Sequence, residues 1–551
     1  VLQKKESRAN DKPRPERGDR PAREDRRENR APRAERAERP APQPKPIVDL
    51  GEECHDEKSE QIRAFLKGLL ATAAAGGVVS QASAKPQADL PAKWDREADV
   101  VILGYGGAGA SAAITAKDAG ADVVIFEKTA QGGGNTAVSS GGMMIPNNRE
   151  RAITYLAKTY DFANSQKDQE LLEAFVDEAM KSKDFLLSLA PDQKVYIYGH
   201  AGFQNIPESD AIDKWRFRTP KGQKTRGGDM LFNNYRYAVE TVRKIPVVYN
   251  ARGLQLITQN DEVLGVWVEI DGKKQAVKAR RGVVLATGGY EFDDNMLSNH
   301  TMGQKFHRLG HPGNTGDGVR MAQAAGADLW HMNALSCPLG LVVPGLKTAL
   351  QINMLAPSYI YVDQDGKRFA NEKMDNHTCI YGVNVLDPIK HRYPRIPCFV
   401  IFDEAARVRG PIIGGATSGY ALNRENYKWS KDNSAEIEKG VIVSAPTIEE
   451  LAKKIGVSAE NLVAAVQKWN TDIKAGKDTQ FNRPIQNPHK KVVHIEQKAG
   501  AAVSAPLDET GPYYAIKLYP TLLNTQGGPK KNVNGQVMDV NNNPIPRLYA
   551  A

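Results

Sequence analysis

Cysteine is nearly absent from this chain of 551 residues: Cys54, Cys337, Cys379 and Cys398 stand far apart, with no C-x-x-C or C-x-x-C-H among them. That excludes a disulfide-stapled scaffold, a thiolate zinc site and an attached c-type haem, so no metal site is expected and any redox chemistry needs an organic cofactor. Long hydrophobic runs are missing too, which excludes a polytopic membrane protein. Charge of one sign is equally lacking once it is located. The net charge is +9, but residues 1–46 carry 15 Lys/Arg against 9 Asp/Glu, leaving 59 against 56 for the other 505 residues. A body this close to neutral argues for no polyanionic partner and no nucleic acid. What the chain has is length, enough for two or more domains because single cores stop growing near roughly 250–300 residues.

Residues 1–58 read as a disordered, charged low-complexity extension. Their first 46 positions alternate acids with bases, repeat proline and hold no aromatic residue, a composition that buries too little apolar surface to offset its ordering entropy. One reading is a basic arm gripping anionic lipid or nucleic acid; the preferred one is a start placed upstream of the true one. Residues 59–84 have the parts of an export signal: Arg63 and Lys67, a weakly apolar run from Leu69 to Val79, and the small-x-small site Ala82-Ser83-Ala84. The segment resembles a twin-arginine signal with Ile62 in place of the first arginine, which implies an exported protein, periplasmic or on the cell surface. A short helix packed on the core is the alternative. The run is too short to span a bilayer, so no stable membrane span is expected, and the mature chain should start near Lys85.

From Ala98 the pattern changes. Asp99-Val100-Val101-Ile102-Leu103 reads as a buried strand, Gly104-Tyr105-Gly106-Gly107-Ala108-Gly109 follows at once, Ala110 to Ala119 is an alanine-rich helix, and Asp122 to Phe126 is a second strand ending at Glu127. This is a βαβ unit with G-x-G-x-x-G in the right context and an acid at the end of its second strand. Gly104 serves the tight turn, Gly106 the approach to a pyrophosphate, and Gly109 the packing of helix on strand. Glu127 is placed to accept from a ribose diol, so the unit predicts dinucleotide binding. NAD and FAD share it. Lys128 and the glycine- and hydroxyl-rich loop Gly132 to Met143, with Gly134, Asn135, Thr136, Gly141 and Gly142, suit the longer cofactor, FAD. The strand ending at Gly288-Gly289, the helix opening at Gly316-Asp317-Gly318, and Asn524-Thr525-Gln526-Gly527-Gly528 support the same choice.

With these motifs in this order, and with Gly366-Lys367-Arg368-Phe369-Ala370-Asn371-Glu372 and Asn543-Pro544-Ile545-Pro546-Arg547-Leu548-Tyr549, the chain resembles the fumarate reductase/succinate dehydrogenase flavoprotein family, on its soluble enoate-reductase and 3-ketosteroid-dehydrogenase side. The resemblance implies an α/β fold with a discontinuous Rossmann-type FAD-binding domain at 97–334 and 501–551, interrupted by an α+β cap at 335–500. It also implies Ala108, Glu127, Asn135, Thr136, Gly141, Gly142 and Asp317 as FAD contacts. The capping box at Thr447-x-x-Glu450 agrees with a helix in the cap.

The implied chemistry is hydride transfer between flavin N5 and a carbon next to an activating carbonyl. The sequence departs from fumarate-type members where they bind dicarboxylates: Cys337, Ile352, Leu355, Asn376 and Asn524 stand where His, Glu and Arg groups are expected. A small-molecule enone or enoate less charged than fumarate is therefore the expected substrate, reduced with electrons from a separate redox protein, quinone or reduced flavin. The alternatives are dehydrogenation of a ring ketone of the 3-ketosteroid type and a non-catalytic flavin-binding fragment. Tyr514, in Gly511-Pro512-Tyr513-Tyr514-Ala515, is the candidate for polarising the carbonyl, against a role as a cross-strand aromatic. His377 is a candidate proton donor, against a structural histidine. Family members continue beyond a Leu-Tyr-Ala-Ala sequence into a Gly-Glu element and a helix facing the flavin, so a chain ending at Ala551 reads as a fragment.

Overall fold

The computed structural model describes residues 90–551 apart from 164–166, 201–205, 219–226, 302–305, 374–375, 414–421, 423–426 and 487–500. The expected extension and export signal lie outside the described residues. No helix of the described residues is long and apolar enough to cross a membrane.

β1 (Arg96–Leu103) leads through the glycine turn into α1 (Gly107–Asp118) and back along β2 (Val123–Phe126), parallel to β1 with Val101 opposite Val124. On its other side β1 runs parallel to β3 (Lys273–Leu285), with Val101 opposite Val283. From Val100 to Leu103 β1 is apolar without alternation because both faces of that half are covered. Val101 and Leu103 join one cluster with Val283 and Leu285, while Ile102 joins another with Ile125, Ala110 and Ala113. An antiparallel meander, Ala251–Gln259 and Glu262–Ile270, feeds β3. The last strand, Pro544–Ala550, lies parallel on the outer edge of β3 with Leu548 opposite Val283. The sheet is thus closed by residues from both ends of the described chain, as a discontinuous α/β domain requires.

A second, seven-stranded sheet is built around β4 (Tyr513–Leu522). This strand pairs antiparallel with Cys398–Asp403, which pairs in turn with Tyr359–Val362. Here the period is two. Tyr514, Ile516 and Leu518 join a cluster with Phe402 and Val400, while Tyr513 and Ala515 face the other way with Phe399 and Ile401. That second face is covered by the helices Ile448–Ile455 and Ala459–Lys474. Thr447 caps the first by accepting the Glu450 N–H at 3.2 Å. The chain returns to the first sheet only at Gln536–Met538 and Pro544–Ala550, later than the expected boundary at 501, because β4 belongs to the second sheet.

The motif Gly366 to Glu372 sits beneath this sheet as an ion cluster. Arg368 is bidentate to Glu372 (2.7 and 2.9 Å) and to Asp478 (2.7 and 2.8 Å), and Arg483 reaches Glu372 at 3.2 Å. The side chains of Arg368, Glu372, Asp478 and Arg483 are all fully buried, and the Arg368 guanidinium stacks 4.5 Å from the Trp469 ring.

Candidate functional site

The carboxyl ends of β1, β2 and β3 open on one cleft, the place where open α/β sheets hold ligands. Glycine keeps it clear. Gly104 has φ +99°, and a Cβ there would stand 2.3 Å from the Ala286 carbonyl oxygen. Gly106 and Gly107 line the cleft beside Ala108 with no side chain to fill it. Gly109 lies behind it: a Cβ there would fall 2.0 Å from the Gly104 carbonyl oxygen, so its role is to let α1 press on the turn. An extended, phosphate-bearing molecule laid over this turn would meet backbone N–H groups and the N-terminus of α1, which fits FAD.

Polar groups stand along the wall. Glu127, at the end of β2, accepts from Tyr105 N (2.8 Å), Thr129 N (2.9 Å) and Thr129 Oγ1 (2.7 Å). Its carboxylate therefore holds the glycine turn, with about one acceptor position left over. Thr136 Oγ1 accepts the Gly107 N–H at 3.0 Å. Lys128 donates to Thr315 Oγ1 (2.7 Å) and Asp317 Oδ2 (3.0 Å), and Arg252 reaches Asp317 Oδ1 at 2.9 Å. Burial pushes the Asp317 carboxyl up, but the bonds from Arg252 and Lys128 outweigh it and hold the group below the usual carboxylate range. Gly134, Asn135 and Gly288 also line the cleft.

Among the lining residues that the sequence reading did not name as contacts are His311, Gly313 and Asn314. Their signal was Asn314 three residues before Asp317, in a glycine-rich turn. His311 Nδ1 accepts the Gly313 N–H at 3.0 Å, which leaves Nε2 as the ring's donor. Burial lowers its pKa, with Lys128 adding to the effect and Glu127 opposing it, so the ring is neutral near pH 7.

Other expected residues lie elsewhere. Gly141 and Gly142 are not in the lining. A Cβ on Gly141 would stand 2.3 Å from the Gly227 carbonyl carbon, and one on Gly142 would stand 2.0 Å from the Tyr198 hydroxyl, so both glycines serve close packing. Tyr514 is not free to polarise a substrate oxygen: its ring stacks 5.4 Å from Phe402, and its hydroxyl donates to Glu404 Oε2 at 2.5 Å. Burial and the Glu404 charge push its pKa up to about 12. His377 lies in the helix Asn376–Val383, and its side chain is outside the described residues. Cys337 is fully buried in the apolar cluster that holds Tyr514, and burial pushes its thiol up.

The sequence from residue 99 to 551 matches the family model described as FAD binding domain. This chain belongs to that family. A 3-oxosteroid 1-dehydrogenase of Mycobacterium tuberculosis (strain ATCC 25618 / H37Rv) is 27% identical, over 83% of this chain and 92% of its own length. An NADH:fumarate oxidoreductase of Klebsiella pneumoniae (strain 342) is 26% identical over 82% of this chain, which spans 44% of that longer protein. The fold is also that of the 3-ketosteroid delta1-dehydrogenase from Sterolibacterium denitrificans, solved in complex with 1,4-androstadiene-3,17-dione, at TM-score 0.71 and 23% identity over 83% of this chain and 93% of that one. The flavoprotein thus binds FAD and is an oxidoreductase acting on CH–CH bonds next to a carbonyl.

Proposed function

We propose that the flavoprotein reduces the C=C bond of an enone- or enoate-like substrate carrying less charge than fumarate. FAD, when bound, supplies the hydride centre; the chain must place the alkene, exclude water and stabilise the developing enolate oxygen. The observation that carries the reading is the apolar packing next to the T-x-G-G segment. Asn524–Thr525 pairs with Leu335–Ser336, and directly beyond it Cys337 and Ile352 lie in an apolar cluster with Leu335, Leu339 and Leu350. The positions where fumarate-type members place partners for a dicarboxylate are thus given over to apolar packing, and a second carboxylate brought to this region would be desolvated without a partner, a penalty of about several kcal/mol.

The test is anaerobic reoxidation of the dithionite-reduced, full-length holoprotein by fumarate, a monocarboxylic enoate and an alicyclic enone. Fumarate should be the slowest acceptor by an order of magnitude or more; fumarate turnover equal to the others overturns the substrate reading. The likeness to the 3-oxosteroid 1-dehydrogenase favours a second reading, oxidation of a ring ketone next to its carbonyl. Dye-linked oxidation of a 3-ketosteroid, without reduction of any enone, would select it. We further place the protein outside the cytoplasm on the strength of residues 59–84, with electrons drawn from a separate redox protein, quinone or reduced flavin; fractionation of cells expressing the full chain tests the location.

A further inference from the structure

One carboxyl beside the cofactor cleft has no part in the chemistry above. Glu291 follows β3 after Gly288-Gly289-Tyr290 and is completely buried. Its Oε1 accepts from the amides of two cleft-lining residues, Asn135 Nδ2 at 2.8 Å and Asn314 Nδ2 at 2.6 Å. Its Oε2 lies 3.4 Å from Thr525 Oγ1. Thr525 Oγ1 accepts the Tyr290 N–H at 3.0 Å, so its own proton is left for Glu291. Asn135 in turn accepts the His311 N–H through Oδ1 at 2.7 Å.

The site is built closely around this carboxyl. A Cβ on Gly289 would stand 2.6 Å from Oε2, and one on Gly310 would stand 2.9 Å from Oε1. Among the described residues no Lys, Arg or His is bonded to the carboxyl; Arg308 bonds the Glu291 backbone carbonyl at 3.1 Å instead. Only an acceptor can take an asparagine Nδ2, so Glu291 decides which way both amides face. Burial, the dominant influence, raises its pKa against the bonds from Asn314 and Asn135.

We propose that Glu291 is a positioning residue for FAD: through hydrogen bonds rather than charge it orients Asn135 and Asn314 in the cleft wall and ties them, through Thr525, to the T-x-G-G segment. The experiment strips FAD from the full-length protein and titrates it back, following flavin fluorescence and the visible circular dichroism of the bound flavin. Glu291→Met, similar in volume but without an acceptor, is expected to bind FAD about 30-fold or more weakly, with an altered dichroic band. Glu291→Gln keeps one oxygen for both amides and should stay within about threefold of the parent. A folded Glu291→Met protein with parental affinity overturns the proposal, as does a Gln variant as weak as the Met variant, which would put the effect in the charge. Should Glu291→Met fail to fold, Glu291→Asp decides. It keeps the charge but withdraws the oxygens by one methylene, and parental FAD affinity in that variant removes Glu291 from the site.

Discussion

Tyr514 and Glu291 are both buried side chains with an ionisable group, and their surroundings assign them opposite uses. The Tyr514 proton is already given to the Glu404 carboxylate, which also receives Arg407. Tyr514→Phe therefore removes a hydrogen bond to a charged acceptor, at a cost of about 1.5–3 kcal/mol. The expected outcome is a melting temperature several degrees lower, read by calorimetry. A hundredfold loss of turnover at unchanged stability would instead return Tyr514 to the mechanism. Glu291 has no cation to repay ionisation, and its pKa in the fold is raised. A raised carboxyl contributes stability that is full below its unfolded pKa, near 4.3, and is lost as pH rises through the folded value. Glu291→Gln cannot ionise, so its melting temperature should gain on the parent as pH goes from about 4 to about 8. A constant difference across that range would show that Glu291 does not titrate there. The sequence showed Glu127 and Asp317 as candidates because each stands at a fixed place in a local motif. It could not show that Glu291 meets Thr525, which is 234 positions away.

At the scale of elements, the βαβ unit was legible because every part of it is local. The turn glycines, the alanine-rich helix and the closing acid lie within one stretch, Gly104 to Glu127, and each has a steric or hydrogen-bonding reason to be where it is. The Gly366 to Glu372 motif was legible as a pattern but not as a structure, since its second acid, Asp478, is 110 residues on. Its physical role is the buried ion cluster under the second sheet. Arg368→Met leaves Glu372 and Asp478 short of their main donor, and breaking such a cluster costs about 3–5 kcal/mol. Denaturant unfolding should show a correspondingly lower midpoint. Burial pushes Asp478 up, but the bond from Arg368 prevails and holds its pKa at about 2, against an ordinary 3.8. A depressed carboxyl stabilises the fold above its unfolded pKa, and the stabilisation fades as pH falls from about 4 through about 2. The melting temperature should drop across that window, and it should drop less in Asp478→Asn; equal slopes for the two proteins would place the acid sensitivity elsewhere.

The whole molecule is organised by pairings between distant segments, and here local pattern reached its limit. Residues 513–522 alternate as a strand must, but nothing in the alternation says which sheet receives them. The structure assigns them to the second sheet, opposite Cys398–Asp403, and the chain runs on from their end to the carboxyl behind the cleft wall: Leu522 O accepts the Leu309 N–H at 2.8 Å, and three residues on Thr525 meets Glu291. The same strand is thus the middle of one sheet and, at its carboxyl end, part of the FAD support. Anything that binds the folded state only is linked to the opening of the segments it touches. Deuterium uptake at Ile516 to Leu522, well inside the second sheet, should therefore slow when FAD is loaded, whereas uptake in the helix Ile448–Ile455 on the far face should change little. Equal uptake along that strand with and without FAD would mean that cofactor binding is not felt there. If the linkage holds, a protein that loses its flavin also loosens its second sheet, and empty molecules become the ones most open to proteolysis.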